Sequence, residues 1–131
     1  MIVIVCGSRT YSNRKAVRYT LESLYRFAGG DLTIRHGAAS GADTLAEEWA
    51  ADRGVLTEPF PADWTTGRGA GPRRNRAMLE AMPRPALVVA FPSTGPGTAN
   101  MVAQARSHGV RVIFGPCDVA LVVSASCPQG G

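Results

Sequence analysis

Ala86-Leu87-Val88-Val89-Ala90-Phe91, running straight into Pro92-Ser93-Thr94-Gly95-Pro96-Gly97-Thr98, is the stretch on which the fold turns. Six apolar residues without a polar interruption read as a strand covered on both faces, as in a parallel sheet. The small residues that follow lead into a helical pattern over 98–107, which Gly109 ends. A strand that passes through a glycine-rich loop into a helix is half of a βαβ unit.

The same alternation extends in both directions. Residues 2–6 are strand-like and rich in β-branched side chains. Val17, Leu21, Leu24, Tyr25 and Ala28 then recur at helical spacing up to Gly29-Gly30. A second strand is read over 32–36. The following helix carries Leu45, Trp49 and Ala50 on one face and stops at Gly54. A third strand is read over 55–60, and 61–71 is a long loop. Pro72 sits where the first residue of a helix would, and that helix runs to about Ala81, before Pro83. A fifth strand is read over 110–114.

Five strands alternating with four helices predict an α/β, Rossmann-like, three-layer domain with a mainly parallel five-stranded sheet. Residues 1–115 form this domain. Residues 116–131 are read as a tail, with 119–123 as a possible sixth, antiparallel edge strand and the polar end as flexible.

Composition narrows the function. In 131 residues, 45% hydrophobic, there is enough apolar material for one core without staples. No apolar run approaches the ~20 residues of a membrane span, so no membrane partner is expected. Cys6, Cys117 and Cys127 are scattered, and His36 and His108 lie far apart. No metal site and no cofactor are expected, and a reducing cytoplasm fits. Cys6 is read as a small buried residue. The net charge of +4 comes mostly from Arg, whose guanidinium fork matches phosphate oxygens. The excess is too small to argue for nucleic acid.

Ligands of such sheets bind outside the carboxyl ends of the strands, so four loops matter. In Gly7-Ser8-Arg9 the glycine lets a ligand approach the backbone, and Arg9 can close over a charge; the alternative is a turn with a solvated arginine. It is not a GxGxxG fingerprint. In the second loop Gly37 and Gly41 keep the space above the sheet clear. Asp43 is either a helix-start carboxylate or a ribose-binding or general-base group. His36 reads as a satisfied strand-end residue.

The third loop carries Trp64, which either stacks on a base or plugs the sheet edge. Arg73, Arg74, Asn75 and Arg76 crowd the helix start that follows. Cations are disfavoured there, and a bound phosphate would explain them; the alternative is a solvated basic turn. The fourth loop, with Pro92, Ser93, Gly95, Gly97 and Thr98, offers N–H groups and hydroxyls without bulk, as a phosphate cradle does. It is not a P-loop. A strand order of 3-2-1-4-5 would put the Gly7 and Gly97 loops on either side of one crevice.

Gly7-Ser8-Arg9, His36-Gly37, Gly41-Ala42-Asp43, Glu48-Trp49-Ala50, Pro61-Ala62-Asp63-Trp64, Ala70-Gly71-Pro72, Arg74-Asn75, Ala90-Phe91-Pro92 and Gly97-Thr98-Ala99 occur in one order. Together, over about residues 2–114, they resemble the YspA-type, cpYpsA-related SLOG proteins of bacteria and their phages. The resemblance implies a Rossmann-like fold, a nucleotide-derived ligand and a homodimer. The wider superfamily holds the lonely-guy phosphoribohydrolases and the DNA-processing protein DprA. The hydrolases carry PGGxGTxxE. Here Gly95, Gly97 and Thr98 keep the cradle, but Met101 stands where the catalytic Glu would be. Arg74 matches the arginine of that family's Arg-Lys pair, with Asn75 in place of the lysine.

Three functions follow as expectations. The first is binding or sensing of a small phosphate-bearing nucleotide derivative. The second is hydrolysis of an N-glycosidic bond, with Asp43, Glu47 or Glu48 supplying the missing carboxylate and Asp43 and Arg74 as the leading catalytic candidates. The third is single-stranded DNA binding.

Overall fold

The computed structural model describes residues 1–91 and 95–125. Five strands, β1 (Ile2–Cys6), β2 (Thr33–His36), β3 (Leu56–Pro59), β4 (Leu87–Ala90) and β5 (Arg111–Phe114), form one sheet in the order β3-β2-β1-β4-β5. All four strand pairings are parallel. The order reverses direction between β1 and β4, where Val3 pairs with Leu87 and Cys6 with Ala90. The crossovers are α1 (Arg14–Phe27), α2 (Ala42–Arg53), α3 (Ala70–Glu80) and α4 (Pro96–Ser107). The predicted Rossmann-like sheet and its strand order are present.

Alternation along the central strands creates two cores. Val3, Val5, Leu87, Val89 and Phe91 face one way and pack with Val17, Leu21 and Leu24 of α1 and Ala46, Trp49 and Ala50 of α2. Ile4, Cys6, Val88 and Ala90 face the other way, onto Met78 and Leu79 of α3 and Met101 and Ala105 of α4. Val3, Ile4, Val5, Val88, Val89 and Ala90 are fully buried, as strands covered on both faces require. Burying one such aliphatic side chain stabilises by roughly 1.5–3 kcal/mol. Trp49 is nearly fully buried, with its Nε1 donating to Glu22 (3.1 Å) and its ring edge-on to Tyr25.

The tail differs from expectation. Val119–Ala125 is a helix, α5, and not an edge strand. Gly115 still donates to Ala90, but Pro116 has no N–H with which to continue along the sheet. Two buried hydroxyls of α1 then take the chain over. Thr20 Oγ1 accepts from Cys117 N–H (3.0 Å) and Ser23 Oγ accepts from Val119 N–H (2.9 Å). Val119, Val122 and Val123, spaced as one helical face, pack on the α1 side of the sheet, and Val119 is fully buried. The flexible end expected beyond residue 125 lies outside the described residues.

Helix starts also shift. α3 begins at Ala70, so Pro72 is its third residue, where a missing N–H is still harmless. α4 begins at Pro96, two residues earlier than read, with the proline at the first position.

Candidate functional site

The sheet order leaves a cavity of about 550 Å³ above the carboxyl ends of β1 and β4. That is a volume typical of small-molecule sites. From the first loop, Gly7, Ser8 and Arg9 line it; from the second, Gly37 and Asp43. Trp64, Arg74 and Asn75 come from the third region, and Gly95, Gly97 and Thr98 from the start of α4. Pro92 and Ser93 lie outside the described residues.

Gly41 does not line the cavity. Its φ is +76°, and a Cβ there would overlap the Ser8 carbonyl oxygen. Gly41 is therefore a packing glycine that lets the second loop lie against the first. Gly7 serves in the same way, since a Cβ on it would sit 2.6 Å from that of Ala42.

The second loop is drawn inward by side chains. Asp43 is buried, and its Oδ2 accepts from Gly37 N–H (3.1 Å) and Ala39 N–H (3.2 Å). His36 Nδ1 accepts from Ala38 N–H (3.0 Å), which leaves its proton on Nε2 to donate to Glu47 (3.1 Å). Three successive N–H groups are thus held, and Ala38 takes a positive φ of 56° to allow it. Burial pushes the Asp43 carboxyl above its usual range, against the N–H donors of Ala39 and Gly37 and the charge of Arg74. Asp43 is also what holds this loop closed. His36 is the satisfied strand-end residue expected.

Arg74 is not a cation facing an unfavourable helix end. The earlier start of α3 moves it past the first turn, and its guanidinium has partners. Nη1 donates to the Gly37 carbonyl (2.5 Å) and reaches that of Phe60 (3.5 Å), while Nε donates to Asn75 Oδ1 (3.0 Å). Burial lowers its pKa, the Asp43 charge opposes that shift, and Arg9 reinforces it. Arg73 ties down the preceding loop through Thr66, and Arg76 pairs with Glu80. Arg74 alone of the three lines the cavity. Cys6, also in the wall, is pushed up to about 12, by burial first and then by the Asp43 charge. It is a protonated thiol and not a nucleophile.

At the mouth, the Arg9 guanidinium lies 5.1 Å from the Trp64 ring centre, a cation–π contact. The rim of its six-membered ring approaches Gly71, and Trp64 remains half exposed. Its ring lies at the cavity rim and does not plug the sheet edge.

Three helices begin with glycine caps: Gly41 for α2, Gly69 for α3 and Gly95 for α4, none of which makes a side-chain cap bond. By contrast Asn13 caps α1, away from the cavity. The first N–H of α2 (Ala42) donates to Ser8 and that of α3 (Ala70) to Gly67, and α4 starts with Pro96, which has none. What all three starts present is the positive end of a helix dipole, which favours an anion.

Met101, at the position of the hydrolases' Glu, is fully buried in the α3–α4 core and does not line the cavity. Its neighbour Asn100 does, as does Arg68. Neither was singled out in the sequence. Asn100 shares a helical face with Gly97 and Gln104, which is the signal that would have found it.

A parallel sheet of this order, with a cavity at its switch point edged by glycine-started helices, defines a Rossmann-like α/β domain. The chain belongs to the YspA, cpYpsA-related SLOG family, whose family model matches residues 1–67. It is 35% identical over 119 residues to the Gene 61 protein of Mycobacterium phage D29, covering 85% of this chain and 93% of that one. It is 31% identical over 72 residues to elongation factor 3A of Saccharomyces cerevisiae, which covers 55% of this chain but 7% of the elongation factor. In fold it is similar to the X-ray structure of DNA processing protein A (DprA) from Streptococcus pneumoniae, with a TM-score of 0.53 and 18% identity. That likeness covers 97% of this chain and 62% of the other. Among the described residues no helix is long and apolar enough to cross a membrane, and no group of His, Cys, Asp and Glu is arranged to hold a metal ion.

Proposed function

We propose that the chain binds a small phosphate-bearing nucleotide derivative in the cavity over β1 and β4. The phosphate sits at the start of α4, beside Arg74, and the base lies toward Trp64. One observation carries this reading: Arg9, Arg68 and Arg74 meet the glycine-capped starts of α3 and α4 around one cavity, with Asp43 the single carboxylate among its lining residues. A site with that balance favours an anion of one to two charges. Trp64, half exposed and already faced by a guanidinium, offers a flat surface for a base.

Five of the ten other arginines support a small ligand over single-stranded DNA: Arg14, Arg18, Arg35, Arg53 and Arg76 are each paired with a carboxylate. A DNA groove needs a run of unpaired cations along its track.

Gly97→Glu tests the site. A Cβ on Gly97 meets nothing within 4 Å, so the variant folds, but it brings a carboxylate to the cradle. AMP, CMP, GMP and UMP are added to both proteins at millimolar concentration. At least one should raise the melting temperature of the wild type by mass action and leave the variant unmoved. An equal rise in both removes the phosphate from the start of α4.

A second reading, cleavage of the N-glycosidic bond, has Asp43 in its favour as the carboxylate on the cavity wall. An oxocarbenium-like transition state needs such a charge nearby. Yet Asp43 Oδ2 is already committed to two loop N–H groups. Release of free base and ribose 5-phosphate over many turnovers, abolished in Asp43→Asn, would establish the hydrolase instead.

A further inference from the structure

The wall between α3 and α4 holds a polar chain whose every amide orientation is fixed by its ends. Arg74 Nε can only donate, so the atom of Asn75 that meets it is Oδ1 (3.0 Å). Asn75 Nδ2 is then left to donate, to the Gly97 carbonyl (3.3 Å) and to Asn100 Oδ1 (3.1 Å). From the other end, the Pro72 carbonyl can only accept, so Gln104 turns Nε2 toward it (2.9 Å). The same Nε2 donates to Asn100 Oδ1 (2.8 Å). Asn100 Oδ1 therefore takes two donors from opposite sides, and both lie in the protein.

Asn100 lines the cavity, while Gln104 does not. With Oδ1 occupied, the edge of the carboxamide left for a ligand is Nδ2, which can only donate. We infer that Asn100 is a ligand-reading residue, locked by Asn75 and Gln104 so that it presents N–H to an acceptor-only group, and that this group is a phosphate monoester. The inference rests on the nucleotide reading above and names what selects for the phosphate. Arg74 and Asn100, linked through Asn75, then act from one wall on the same oxyanion. A donor-only wall rejects ligands that bring their own donors to that place, because the facing N–H groups would be left without acceptors.

Binding of AMP, CMP, GMP and UMP is measured by calorimetry for the wild type, Asn100→Asp, Asn100→Ala and Gln104→Glu. Asp keeps the oxygen that accepts from Asn75 and Gln104 but replaces Nδ2 by a charged acceptor. Its affinity for the monophosphate that binds the wild type best should fall at least tenfold, and further than that of Asn100→Ala. Gln104→Glu lies outside the cavity, yet it puts acceptors against Asn100 Oδ1 and the Pro72 carbonyl. It should weaken the same binding at least threefold with the fold intact by circular dichroism. Asn100→Asp binding as tightly as the wild type, or no worse than Asn100→Ala, overturns the role of Asn100 while leaving the nucleotide site standing. A wild type that binds none of the four overturns the site reading, and this inference with it.

Discussion

Arg74 and Gly37 are made for each other: the Arg74 Nη1 donates to the Gly37 carbonyl and occupies the place a Cβ on residue 37 would take. This contact ties the loop after β2 to helix α3 across the cavity. It also explains why an arginine can sit half-buried at the site before any ligand arrives.

Gly37→Ala should therefore act through Arg74. The clash is with the end of a flexible side chain, so the chain folds and the guanidinium swings away. The loss of one hydrogen bond costs about 1 kcal/mol. Arg74→Ala should cost a similar amount, because the Gly37 carbonyl loses its donor. Both variants should lose affinity for nucleoside monophosphates, as read by urea unfolding and calorimetry on the same preparations. Intact binding in both would make the pair a structural clasp only.

Asp43 should leave a signature in the pH dependence of stability. Burial holds its folded-state carboxyl above the ordinary value of 3.8. Between that value and the higher folded one, the folded chain keeps a proton that the unfolded chain has lost. Stability therefore falls as pH rises through this window, and the loss is complete above it. Asp43→Asn has no such slope. The stability of the variant relative to the wild type should rise with pH across the window in urea titrations. A constant difference would mean that the carboxyl titrates normally in the folded protein. Asp43→Ala, which strips Gly37 and Ala39 of their acceptor, should cost about 1–3 kcal/mol, with the larger cost below the window.

Ser23→Ala tests the docking of α5. The buried Val119 N–H loses its acceptor, at a cost of about 1–2 kcal/mol. Amide exchange should quicken across residues 119–125 while nucleotide binding stays unchanged. Unchanged exchange there would show that α5 is held by its valines alone.

Met101→Glu should not create a hydrolase. The side chain is fully buried in the α3–α4 core, so the change buries a carboxylate with no cation beside it. A loss of about 3 kcal/mol or more is expected, with no release of base from nucleoside monophosphates. A stable variant that turns over would mean that α4 can rotate its face toward the cavity.

Much of this was legible in the sequence, because periodicity and punctuation agree along most of the chain. The apolar run 86–91 and the β-branched start of β1 fix the central strands, and Gly29, Gly54 and Gly109 end helices where expected. The tail was misread because Val119, Leu121 and Val123 alternate as a strand does, while 119, 122 and 123 also fit one helical face. What decides between them is a pair of hydroxyls, Thr20 and Ser23, nearly a hundred residues away. The same limit applies at the site. Gly41 reads as a ligand glycine until Ser8 is seen packed on it, and Asn100 gains its orientation only from Asn75 and Gln104.

The central claim, a phosphate-reading nucleotide site at the β1–β4 switch, is tested most directly by titrating the wild-type protein with AMP, CMP, GMP and UMP and with the four matching nucleosides. Calorimetry at moderate salt should give saturable, one-to-one binding for at least one monophosphate, at least tenfold tighter than for its nucleoside. Equal affinity for nucleoside and monophosphate, or no heat from any of the eight up to millimolar concentration, would contradict it.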